Sequence, residues 1–133
     1  MLYFFLNLAG HASISFVLVL LLIHRLKINH RRENRYGISY LLPVLLTVLV
    51  LFQMISFTSP RLLDTPDIIR GAYVSRTGTV EKIDFLNNAM TFDGERYFYN
   101  PLVHKPQVGD QLIITHTRNS GYISSMEKNG QDQ

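Results

Sequence analysis

Three polar side chains recur every fourth residue inside an otherwise apolar run: Asn7, His11 and Ser15. At that spacing they share one face of a helix. Polar groups in a lipid setting are costly, and they mark either interhelical hydrogen bonds or a path for protons and ligands. A proton path through His11 needs a carboxylate to receive the proton, and neither apolar run holds Asp or Glu. The favoured reading is interhelical hydrogen bonding, at about 0.6 kcal/mol per contact. Ala9 and Ser13 form a small-xxx-small pair beside this face and would permit close helix approach. In a hairpin folded about the basic segment, Asn7 is expected near the depth of Gln53, and Ser15 near that of Thr47.

Other chemistry has less support. The chain has no cysteine, which excludes disulfides and thiolate nucleophiles or ligands. His104 falls in a loop and His116 in a strand, neither with a second ligand at metal-binding spacing, whereas zinc needs three or four converging donors. Asp93 and Asp110 belong to turns, which favour aspartate for local reasons. There is no nucleophile-elbow sequence, phosphate-binding glycine loop or dinucleotide fingerprint. The chain reads as a non-enzyme, with no catalytic residue, cofactor or metal assigned.

The elements that must position the polar face are two uncharged runs, Leu2 to Ile23 and Ile38 to Phe57. Each is long enough to cross a hydrocarbon core of about 30 Å. A cleaved secretory signal would want basic residues before the first run and a small-residue site after it. Here HRLK follows instead, so an uncleaved helix is expected. Between the runs lie Arg25, Lys27, Arg31, Arg32 and Arg35 against the single acid Glu33. Short basic loops stay in the cytoplasm. The bias predicts a cytoplasmic loop over 24–37, with the N-terminus and the C-terminal part extracellular. The net charge of +3 is thus a topology signal first.

The expected organisation is a transmembrane hairpin over 1–58, a juxtamembrane linker over 59–71, a β domain over 72–128 and a frayed tail over 129–133. Thr65-Pro66-Asp67 reads as the start of a one- or two-turn helix that Gly71 ends. From Ala72 the pattern becomes strand-like. A long first strand carries Gly78, which suggests a bulge or a sharp coil. Asn87-Asn88 turns the chain, Asp93-Gly94 is a two-residue hairpin signal, and Asn100 to Asp110 is an irregular connection. Strands over 111–117 and 122–128 complete five. Five short strands hide their edges best by coiling, so a small OB-like or SH3-like barrel is expected. Its aromatics and bases could bind single-stranded nucleic acid, but its acids offset its bases and no nucleic-acid partner is assigned.

The two apolar runs, the TGTV segment with Gly78, and VGDQLIITHTRNSGYISSMEK together resemble uncharacterised small membrane proteins of Gram-positive bacteria. Those carry one or two N-terminal transmembrane helices and a C-terminal β module. The resemblance implies architecture and no chemistry. The expected function is a bacterial membrane-anchored interaction module that binds lipid and a protein partner or a second copy. The contact surface would be the edge of strand three or the loop holding Asn100, His104, Lys105 and Asp110. The alternative is an accessory subunit of a transporter or membrane enzyme, contacted through its helices.

Overall fold

A computed structural model of the chain describes residues 1–129; residues 130–133, most of the expected frayed tail, lie outside the described part. The chain divides into two compact units, one of residues 5–62 and one joining residues 1–4 to the chain from Leu63 onward.

The first unit is helical. Helix α1 (Leu2–His30) runs well past Ile23, so the basic segment is half helix and half turn. HRLKINH holds no glycine or proline to stop a helix, and cations suit the negative end of its dipole. The helix ends at Arg32, whose φ of 55° is left-handed. Glu33 N–H bonds to Ile28 O (3.2 Å) and Arg32 N–H to Asn29 O (3.1 Å). This is the Schellman arrangement, with arginine where glycine is usual.

The chain returns through a 3₁₀ turn (Gly37–Leu41) and helix α2 (Leu42–Gln53), with Pro43 in its first turn. A single π turn (Met54–Thr58) joins α2 to helix α3 (Ser59–Arg70). In that turn Ser59 N–H bonds five residues back, to Met54 O. The helix does not restart at Thr65 as expected: Pro66 lies inside α3. Pro66 removes one backbone bond, and the buried Asp64 and Ile68 hold the segment helical across it. Gly71, at φ 69°, ends α3.

Two helical stretches, Leu2–His30 and Gly37–Arg70, are long and apolar enough to cross a membrane. Only 6% and 11% of their most apolar portions are buried, whereas a core helix of a soluble protein would be mostly buried.

The second unit is a five-stranded antiparallel open sheet in the order β3-β2-β1-β4-β5. The strands are β1 (Val74–Ile83), β2 (Ala89–Phe92), β3 (Glu95–Phe98), β4 (Gln111–His116) and β5 (Ile123–Lys128). β1 pairs with β4 through its first half and with β2 through its second. The bulge falls between Val80 and Lys82, not at Gly78. Gly78 instead admits the Asp93 carboxylate, which would lie 2.1 Å from any Cβ there. That carboxylate accepts a bond from Thr79 N–H (3.1 Å). Asp93 and Gly94 both have positive φ, 46° and 78°, as a type I′ turn requires. The outer strands share no ladder, and a single parallel bridge joins Phe98 to Tyr122. The core is Val80, Met90, Phe92, Tyr97, Tyr99, Leu112, Ile114 and Ile123. Phe4 is fully buried in the same unit, its ring 6.5 Å from Phe98 and 5.3 Å from Tyr122.

Candidate functional site

The polar face of α1 is a seam of the helical unit. Asn7, His11, Ser15, Leu18, Leu22 and Arg25 are each at least partly covered, while Ala9, Ser13 and Phe16 are exposed. Such steps of three and four residues keep one stripe of the helix against its neighbour. Arg61 donates through Nε to Asn7 Oδ1 (2.6 Å) and through Nη1 to Phe57 O (2.7 Å). Its guanidinium also lies 5.8 Å from the centre of the Phe57 ring. His11 stacks on Phe57 at 5.0 Å, the planes 6° apart. Gln53 Nε2 donates to His11 Nδ1 (2.9 Å), and Ser15 Oγ bonds Thr58 Oγ1 (2.9 Å).

Asn7, His11 and Ser15 therefore each have a hydrogen-bond partner, but not the partners the sequence suggests. Arg61 replaces Gln53 opposite Asn7, and Thr58 replaces Thr47 opposite Ser15. The cause is the extra helix: with α1 running to His30 the hairpin turns later, and the facing partner moves by about two turns at Asn7 and about three at Ser15. The outward position of Ala9 and Ser13 also differs from a role in this hairpin. Arg61 was legible only as a flanking charge, because nothing local connects it to Asn7, 54 residues away.

Arg25 is half-buried, and Lys27, Arg31, Arg32 and Arg35 are exposed. None of these five forms an ion pair with an acid among the described residues. Asn29 Nδ2 bonds Tyr40 O across the turn (3.1 Å), and Asn34 Nδ2 bonds Asn29 Oδ1.

In the β unit, the fully buried Asp64 holds the β4–β5 turn. Its Oδ1 accepts from Asn119 N–H (2.9 Å) and Asn119 Nδ2 (2.8 Å), and its Oδ2 from Ser120 N–H (2.6 Å). Beneath the turn, buried Thr117 Oγ1 accepts from Tyr122 N–H (3.0 Å). Beside the core, Arg76 Nη1 bonds Glu95 Oε2 (2.6 Å) and Tyr97 Oη (3.0 Å), and Tyr97 O–H donates to Glu95 (2.8 Å). The Tyr97 bond and the Arg76 charge hold Glu95 below the ordinary carboxylate range.

The loop from Asn100 to Asp110 is strapped at both ends. Asn100 O accepts from Val103 and His104 N–H, Asn100 Oδ1 from Leu102 N–H, and Asp110 Oδ2 from Gln107 N–H. Gly109 N–H bonds Val80 O (2.8 Å), and Lys128 pairs with Asp110 at 3.5 Å. Between the straps Leu102 is 87% and Val103 68% exposed. Lys105 is exposed and His104 half-buried. Tyr99 N–H bonds Asn88 O (2.9 Å), so this loop leaves β3 beside the β1–β2 turn, where Phe85 is 97% and Leu86 70% exposed. Both turns lie at the same end of the sheet, its tip, and each carries an exposed apolar pair. Leu102 and Val103 fall in the sequence-expected loop; Phe85 and Leu86 do not, and their signal was an apolar pair abutting Asn87-Asn88. The end of strand three is less open than expected, because Phe98 N–H bonds Gly121 O (3.0 Å).

Among the described residues no three His, Asp or Glu side chains cluster as metal ligands. No protein-family model, curated protein or solved structure matches this chain.

Proposed function

We propose that the chain is a membrane-anchored, non-enzymatic interaction module whose β unit binds a protein or peptide partner through its apolar tip. The observation that carries this is the exposure of Phe85, Leu86, Leu102 and Val103 on two turns at the same end of the sheet. Soluble surfaces seldom group large apolar side chains unless something covers them. The helical pair is the anchor, lying in a bilayer with the basic turn in the cytoplasm and the β unit outside. Its sheet belongs to the OB-like arrangement, a partly open five-stranded barrel. The long β1 shared by β2 and β4, and the parallel approach of β3 to β5 at Phe98 and Tyr122, support that order over the SH3-like one.

A second reading is favoured by one observation: Ala9, Gly10 and Ser13 face outward on α1, with open space around Gly10. Small residues there suit close approach by a helix of another membrane protein or of a second copy. A photo-crosslinking amino acid at Phe85 or Leu102, compared with one at Ser13, separates the two. Adducts from the tip alone support the module, and adducts from Ser13 alone support the accessory subunit. Protease added to cells stripped of their wall tests the orientation. Cleavage of the β unit only after the membrane is opened would refute the outside assignment.

A further inference from the structure

Where the apolar run of α1 gives way to the basic segment, Ile23, Leu26, Lys27, His30 and Arg31 line an open groove of about 450 Å³. Its lining is ordered along the helix: aliphatic at Ile23 and Leu26, cationic at Lys27 and Arg31. Neither cation forms an ion pair with an acid among the described residues. The adjoining Arg32 adds a third cation, in a backbone conformation where glycine would be easier.

We propose that this groove is a seat for an anionic phospholipid, its phosphate on Lys27 and Arg31 and its upper acyl chain along Ile23 and Leu26. Charge complementarity selects the occupant. A protein segment would need acids to match the rim and an apolar stretch beside them, whereas an anionic phospholipid joins both within one molecule. A free phosphate would leave the aliphatic half unused. The proposal rests on the reading of the helices as membrane-embedded and adds a lipid-selective site to it.

The test uses the full chain in bilayer discs of phosphatidylcholine mixed with phosphatidylglycerol, released gently and weighed by native mass spectrometry to count retained lipids. The wild type should retain phosphatidylglycerol in preference to phosphatidylcholine. Lys27→Gln and Arg31→Gln should each reduce that preference about fivefold, the worth of one basic residue at an anionic surface. Arg35→Gln removes the same charge outside the groove and should change it little. Equal retention of both lipids by the wild type would overturn the proposal, without needing any variant to fold. An equal effect from Arg35→Gln would also overturn it, in favour of diffuse attraction. Displacement of the lipid by inorganic phosphate would reassign the groove to free phosphate and refute the lipid seat. Loss of insertion in alkaline carbonate extraction would instead refute the membrane reading itself.

Discussion

Replacing Asp64 tests whether one buried carboxylate holds the β4–β5 turn. In Asp64→Ala, two backbone N–H groups and one side-chain amide lose their acceptor. A buried donor left without a partner costs about 1–3 kcal/mol. Counting only the two backbone groups, and allowing partial rehydration, the loss should be about 2–4 kcal/mol. A unit this small has only a few kcal/mol to lose, at about 0.05–0.15 kcal/mol per residue. Asp64→Asn keeps one oxygen for Asn119 but sets an NH₂ against a backbone N–H, so about half that loss is expected. The assay is urea unfolding of the full chain in detergent, followed by near-ultraviolet circular dichroism of the tyrosines, with hydrogen exchange at Asn119 and Ser120. An Asp64→Ala protein within about 0.5 kcal/mol of wild type, with both amides exchanging no faster, would refute the reasoning.

Gly78→Ala should cost about 1 kcal/mol by displacing Asp93 from Thr79 N–H. The same change should be close to neutral when Asp93→Gly is already present, as a double-mutant cycle of urea midpoints would read. Arg32→Gly should stabilise the helical unit by about 1 kcal/mol through relief of the left-handed conformation, measured by denaturation in detergent. Burial is the main cause that raises the pKa of Tyr97, Tyr99 and Tyr122. The folded state thus holds these protons longer than the unfolded chain. Their contribution to stability should be complete below the ordinary tyrosine value of 10.0 and fall as pH rises through the folded values. A tyrosinate absorbance titration should show a late-ionising group that merges with the rest in urea.

What could be read from the chain was local and periodic. The uncharged runs gave the long helices, and Asp93-Gly94 gave its hairpin, because each is decided within a few residues. The Asn7–His11–Ser15 face was visible for the same reason, yet its partners were not. Partner choice depends on where the hairpin turns, and that depended on HRLKINH continuing as helix through seven polar and aliphatic positions. Thr65-Pro66-Asp67 misled because it has the chemistry of a helix start, while burial of Asp64 and Ile68 on either side outweighed it. Gly78 was rightly taken as special for the wrong reason: a carboxylate approaches there, and the bulge lies further on. Asp64 could not be paired with Asn119 from sequence, since 55 residues separate them.

The burial of Phe4 bears on how the protein is made. The ring is translated 94 residues before its companion Phe98 and 118 before Tyr122, so it must wait for the strands it packs against. The β unit is therefore not a contiguous piece of chain. A fragment starting after α3 would expose the surface that Phe4 covers, and so would removal of the first apolar run by a signal peptidase. A segment made before the strands is thus the closing piece of their fold.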